Sequence, residues 1–415
     1  MKKVFCFLLC LLAMFTTSFN VSGVDRLVKE EEGIFVNNSA VQSPSAENLP
    51  VEIHAKSAVL MEVSSGEVLL QYNADEKLFP ASVTKIMTML LVAEAIDENK
   101  ITLADKVVCS ANAASKGGSQ IWLEEGEEMT VDELLRATAI GSANDAATLL
   151  GEYVAGSEQG FIDMMNSRAK ELGMNNTNFE NATGLDDTTD THLTTARDIG
   201  IMSVELLKHD FITDYTTVWM DSLRNGETEL VNTNKLVRFY SGTTGLKTGT
   251  TAKAGCCVSA SAKRDGLHLV AVVMGSATSD ERFNSAKAML NWGFSNYLCF
   301  KPEIDTTSVE KIAVQKGRTP FVETEIPEIT SIALKKGEET GVVVKIEVDE
   351  NLTAPIEKGQ TLGVISIETP SEKKYEYKIT AKNKVEKLTF LDCVVKSLNF
   401  IGNGKKEYPL KPDNT

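Results

Sequence analysis

The 415-residue sequence has little of what builds metal and redox centres. Its four histidines, His54, His192, His209 and His268, are scattered, and no H-E-x-x-H spacing occurs. There is no C-x-x-C pair, so neither a zinc ribbon nor a redox motif is supported. Five cysteines lie beyond the first 23 residues: Cys109, Cys256, Cys257, Cys299 and Cys393. Their odd number and irregular spacing assign no disulfide, although one could form after export. No metal and no cofactor is expected. Basic residues are also in the minority, with 42 Lys and Arg against 58 Asp and Glu and a net charge of −16. No basic cluster interrupts this balance, and a chain so acidic is repelled by phosphates, which excludes nucleic acid as a partner.

Long apolar runs are absent except for one. Lys2 and Lys3 precede Val4–Phe15, which is wholly apolar, and small residues follow up to Ser22 and Gly23. This is the layout of a secretory signal, and the run is too short to span a bilayer well. Residues 1–23 are therefore expected to direct export. Their removal takes away two lysines and no acid, deepening the charge to −18. An uncleaved anchor is the alternative. Lipidation at Cys10 is disfavoured because Phe7-Leu8-Leu9 lacks the small residues such a site prefers.

The length exceeds one ordinary core, so two domains plus ends are expected. Residues 24–50 are polar and irregular and read as a linker. Ala58–Val63, a Ser-Ser-Gly turn and Glu67–Tyr72 form a hairpin pattern. Cys256–Ala262 and Leu267–Val273, joined through Asp265-Gly266, form a second. Helical patterns occupy 84–97, 130–151, 159–172 and 195–208 between them. Strands at both ends of a helical middle predict an antiparallel sheet with an inserted helical region, an α+β arrangement over 51–300. Residues 301–385 change to short β-rich runs broken by Gly and Pro, a small all-β domain. Residues 386–415 form a tail in which Phe390, Val394, Leu398 and Ile401 share one helical face.

Three motifs carry chemistry. The first is Ser82-Val-Thr-Lys85 at the start of an apolar helical run. Residues i and i+3 share a face, so the Lys85 amine can reach the Ser82 hydroxyl as a base beside a nucleophile. Burial would lower the lysine pKa toward neutrality. The helix N-terminus would supply N–H groups and positive potential for an oxyanion. The pattern alone is weak, because Ser308–Lys311 and Ser371–Lys374 match it in the β-rich part. The second is Ser142-Ala-Asn144, where a polar turn interrupts a helical pattern. Ser142 could relay a proton and Asn144 could hold a substrate amide, or either could cap a helix. The third is Lys247-Thr248-Gly249, followed by Thr250 and placed on an edge strand before the second hairpin. Lys247 and Thr248 suit a carboxylate, and Gly249 lets an extended peptide come close. The order S-x-x-K, S-x-N, K-T-G, with gaps of 60 and 105 residues, is far more specific than any one motif.

With these motifs, the stretches VSSGEVLLQYNADEKLFPASVTKIMT, NAASKGGSQIWLEEGE and GLKTGTTAKAGCCVSASAKRDG resemble the low-molecular-mass penicillin-binding proteins. Those proteins are D-alanyl-D-alanine carboxypeptidases with a β-rich C-terminal domain. The resemblance covers residues 55–295 and continues more weakly to about 380. It implies a β-lactamase/transpeptidase-like catalytic domain and a serine peptidase acting on peptidoglycan stem peptides ending in D-Ala-D-Ala. β-Lactam antibiotics would be covalent inhibitors. Ser82 would be the acylated nucleophile and Lys85 its base, with Ser142 and Asn144 assisting. Lys247 and Thr248 would bind the terminal carboxylate. The N–H groups of Ser82 and Thr250 would form the oxyanion hole. Ala143 and Thr250 depart from commoner choices without removing a catalytic group. A β-lactamase, with Glu180 considered as a deacylating base, and a non-catalytic wall-binding scaffold are the alternatives. The family also implies that the mildly basic tail, with six lysines against four acids from residue 384, could anchor the protein to the outer face of the cytoplasmic membrane.

Overall fold

The computed structural model of the chain describes residues 35–36, 49–349 and 351–395, which fall in one compact unit. The expected signal, most of the linker and residues 396–415 of the tail lie outside the described residues. Strand β1 (Ser57–Glu62) is buried at every position and pairs antiparallel with β2 (Val68–Tyr72). The helices follow: α1 (Lys85–Asp97), α2 (Val131–Ala139), α3 (Asn144–Ala155), α4 (Glu158–Glu171) and α5 (Ala196–Leu206). A small hairpin, β3 (Met220–Leu223) with β4 (Thr228–Val231), comes next and has no counterpart among the sequence expectations. The chain then returns to the sheet as β5 (Thr243–Thr251), β6 (Gly255–Arg264) and β7 (Leu267–Ser276), and closes the domain with α6 (Ser279–Asn296).

The sheet runs β2-β1-β7-β6-β5 and is antiparallel throughout, as the two hairpin patterns predicted. Both of its faces are covered. Val59, Met61, Val270 and Val272 point toward α1 and α5, against Ile86, Met87 and Ile199. Ala58, Leu60, Leu269 and Ala271 point the other way, against Phe283, Met289 and Leu290 of α6. Successive side chains alternate between the two cores. That is why these strands read as unbroken apolar runs. Helix α1 is apolar all round and lies inside the domain, buried from Lys85 to Ala93. A capping box between Thr130 and Glu133 starts α2.

The C-terminal strands are β8 (Lys311–Ala313), β9 (Phe321–Glu325), β10 (Val343–Val348), β11 (Thr361–Glu368) and β12 (Lys374–Ala381). They run in the order β8-β9-β12-β11-β10 around Val322, Ile365, Ile367, Tyr375 and Ile379. Within the expected linker, Phe35–Val36 pairs with β12, a contact that composition did not reveal. Tyr297–Phe300 pairs with Ile332–Lys335 across the expected boundary at residue 300. The buried Glu67 carboxylate receives both Tyr375 Oη and Lys373 Nζ from the β-domain. Residues 390–395 are helical, with Phe390 84% and Leu391 71% exposed. Cys109, Cys256, Cys257 and Cys299 are free thiols.

Candidate active site

Ser82 lies one turn earlier than the sequence suggested. It sits in a 3₁₀ turn, Ala81–Thr84, and the α-helix proper begins at Lys85. A 3₁₀ turn eclipses side chains at i and i+3. This brings Lys85 Nζ to 3.0 Å from Ser82 Oγ. Ala81, just before Ser82, adopts a left-handed φ of 49° that non-glycine residues rarely take. Neither Pro80 nor Thr84 caps the turn with its side chain, which leaves its N–H groups for other partners.

Lys85 is completely buried. Its Nζ lies 2.5 Å from Asn144 Oδ1 and 2.9 Å from the Thr183 carbonyl. Both are obligate acceptors, whereas Ser82 Oγ can donate. An ammonium donates to all three oxygens; a neutral amine, the form favoured by a lowered pKa, donates to Asn144 and Thr183 and offers its lone pair to the Ser82 hydroxyl. Burial, aided by the positive charge of Lys247, holds the Lys85 pKa well below its ordinary value.

The break between α2 and α3 places the second motif. Ser142 adopts a left-handed φ of 62°, and Ala143, with no side-chain cap, stands at the N-cap. Neither Ser142 nor Asn144 is spent on capping. The Asn144 amide spans from Lys85 to the Gly117 carbonyl, 2.6 Å away, and its backbone N–H donates to Ser119 O at 2.7 Å. A Cβ at Gly118 would lie 2.7 Å from Asn144 Nδ2, so this loop requires glycine there.

The third motif lies on β5, the edge of the sheet, as expected. Lys247 is buried, and its Nζ donates to Thr248 O at 3.0 Å. Desolvation, helped by Arg282, lowers its pKa to about 7. Thr248 Oγ1 donates to Thr233 Oγ1 at 2.7 Å. A Cβ at Gly249 would meet Ser82 N at 2.7 Å and Pro80 O at 2.8 Å. The strand therefore passes directly against the nucleophile's backbone.

Several contributors escaped the sequence reading. Arg282 on α6 donates from Nη1 to Gly249 O and Thr250 Oγ1, both at 3.0 Å, and so pins the edge strand. Arg282 occupies no recognisable spacing. His192 is buried, with Nε2 on Thr84 Oγ1 at 2.8 Å and Nδ1 accepting from Glu180 N at 3.0 Å. Gly184 passes so close to Ala81 O that a Cβ would clash with it. The decoy pairs are surface residues, with Ser308, Lys311 and Lys374 exposed. The exposed Glu180 carboxylate is taken up by the Thr189 and Thr191 hydroxyls, outside the Ser82–Lys85–Asn144 network.

Residues 40–278 match the family described as D-alanyl-D-alanine carboxypeptidase. Residues 304–387 match the penicillin-binding protein 5 C-terminal domain. The chain is 45% identical to the D-alanyl-D-alanine carboxypeptidase DacF of Bacillus subtilis, over 83% of this chain and 89% of that protein. Penicillin-binding protein 5 from Haemophilus influenzae superposes with a TM-score of 0.71 at 29% identity, covering 82% of this chain and all of that one. Penicillin-binding protein D2 from Listeria monocytogenes, solved in its ampicillin-bound form, gives a TM-score of 0.54 at 32% identity. It covers 60% of this chain and 99% of that one.

Proposed function

The chain belongs to the D-alanyl-D-alanine carboxypeptidase family, and from that premise we propose how its residues divide the work of this serine hydrolase. The enzyme is a penicillin-binding carboxypeptidase that removes the terminal D-alanine of peptidoglycan stem peptides. The observation that carries the residue roles is the buried Lys85 amine, held by Asn144 Oδ1 and Thr183 O with Ser82 Oγ 3.0 Å away.

Lys85 takes the hydroxyl proton as Ser82 Oγ attacks the penultimate D-alanine carbonyl. The N–H groups of Ser82 and Thr250 stabilise the oxyanion. The peptide C–N bond breaks, and the departing amine takes the proton by way of Ser142. Water, deprotonated by Lys85, then hydrolyses the ester and returns the proton to Ser82. Lys247 and Arg282 provide the positive field for the terminal carboxylate, and Thr248 a hydroxyl donor to it. Penicillins acylate the same oxygen. No metal or cofactor takes part in these steps. The test compares the chain from residue 24 with its Ser82→Ala variant on diacetyl-Lys-D-Ala-D-Ala, following D-alanine release and fluorescent-penicillin labelling together. Both activities should vanish in the variant. Retention of either removes Ser82 from the nucleophile's role.

The enzyme works outside the cytoplasm, at the outer face of the cytoplasmic membrane. The charged and apolar start of the chain supports export, and the exposed Phe390 and Leu391 support a surface-seeking tail. Among the described residues no helix is long and apolar enough to cross a membrane. Deleting 386–415 should release the protein from membranes, and unchanged association would refute anchoring.

A further inference from the structure

Trp122 is 76% exposed, yet Ile121 and Leu123 on either side are 2% and 4% exposed. Its backbone is left-handed, with φ 59°, a conformation strained for a bulky residue. The surroundings enforce it. The buried Asp145 carboxylate accepts from Ile121 N at 3.1 Å and Leu123 N at 3.0 Å, gripping the chain on both sides of the indole. Arg224 Nη1 donates to Ile121 O at 2.8 Å. Arg224 is itself held by both oxygens of Glu127 and by Thr228 Oγ1. This scaffolding turns an aromatic ring outward against the strain of a left-handed backbone.

Trp122 follows closely on the stretch of chain that holds Asn144. Ser119 O holds the backbone of Asn144, and Gly117 O holds its amide. Two residues separate Ser119 from Trp122, which puts them at most about 10 Å apart when extended. Asp145, which grips the indole's neighbours, directly follows Asn144 in α3. Glu124 and Glu125 are exposed just beyond the ring, and neither is ion-paired among the described residues. An exposed indole face with carboxylates two and three residues further along the chain suits an ammonium group, which is drawn both to a ring and to acids.

We infer that Trp122 is a specificity-determining residue that takes the side-chain amine of the substrate residue preceding D-Ala-D-Ala. The inference rests on the carboxypeptidase reading and names the part of the stem peptide that reaches the Asn144 side of the site. The cation–π contribution at an exposed position is about 0.5–1 kcal/mol, or about two- to fivefold in kcat/KM.

The experiment uses the mature chain and two peptides, acetyl-Lys-D-Ala-D-Ala with a free ε-amine and its diacetyl counterpart. Trp122→Asn removes the ring while suiting the left-handed backbone, and Trp122→Phe keeps a weaker ring. Wild type should favour the free amine by about two- to fivefold, Phe should favour it less, and Asn should show a ratio near one. Melting temperature should not fall in the Asn variant, because the ring packs on little and the strain is relieved. A wild-type ratio of one, or a ratio unchanged in Trp122→Asn, overturns the inference. A clear drop in melting temperature would make the ring a packing element and overturn it too. Inertness of both peptides would instead strike the carboxypeptidase reading, and the inference with it.

Discussion

Gly249→Ala tests the closest approach in the site. The added methyl would lie 2.7 Å from Ser82 N, 2.8 Å from Pro80 O and 2.9 Å from Ala81 Cβ. Two of these three atoms are backbone, and Ala81 is already held in a left-handed conformation against Gly184. No flexible side-chain tip can yield, so the edge strand must retreat from the nucleophile's turn. Overpacking of this kind costs about 1–3 kcal/mol of stability. The functional cost is larger, because Thr250 moves with the strand and its N–H leaves the position an oxyanion would occupy. A shift of about 1 Å at a reacting centre costs about 100-fold in rate. Arg282 resists the retreat through Gly249 O and Thr250 Oγ1, so its own hydrogen bonds should lengthen or break. The assay is the second-order rate of fluorescent-penicillin acylation beside D-alanine release, with thermal unfolding as the measure of stability. A variant that acylates within about twofold of wild type and melts normally would refute the claim that this strand abuts Ser82 N.

Two further outcomes are expected. Asn144→Asp places a carboxylate 2.5 Å from Lys85 Nζ. The new charge would hold Lys85 as an ammonium, so acylation at neutral pH should fall by about 100-fold or more while the fold survives. Acylation at the wild-type rate would sink the neutral-amine argument. His192 is buried, and desolvation lowers its pKa from 6.5 to about 4. Below pH 6.5 the unfolded chain binds a proton at this histidine that the folded chain refuses. Stability should therefore fall as pH drops from 6.5 toward 4, by about 3 kcal/mol in total at 1.36 kcal/mol per pH unit. Urea unfolding across that range should show a shallower pH slope in His192→Gln. Identical slopes would exclude His192 as the source.

The legible parts of this protein are those in which one local rule sets the outcome. The spacing of Ser82, Lys85, Ser142, Asn144 and Lys247 repeats a chemical requirement, and in the structure the Lys85 amine lies within hydrogen-bond reach of Ser82 and Asn144 and feels the charge of Lys247. The hairpins were found because Ser-Ser-Gly and Asp-Gly turns separate apolar runs. What remained hidden depends on approach between segments distant in sequence. Gly184 is required by Ala81, about a hundred residues earlier, and Arg282 acts on carbonyls of a strand more than thirty residues before it. A glycine or an arginine in isolation carries no mark of such a partner. The helical pattern over 130–151 divides at the polar interruption the sequence shows, where Ser142 takes a left-handed turn. The same reasoning explains why Trp122 went unremarked. Its flanking residues belong to the core, so the stretch reads as buried, and only Asp145 and Arg224 together turn the ring outward. The features that position the chemistry therefore lie mostly in long-range backbone contacts, and the residues that perform it lie mostly in short motifs.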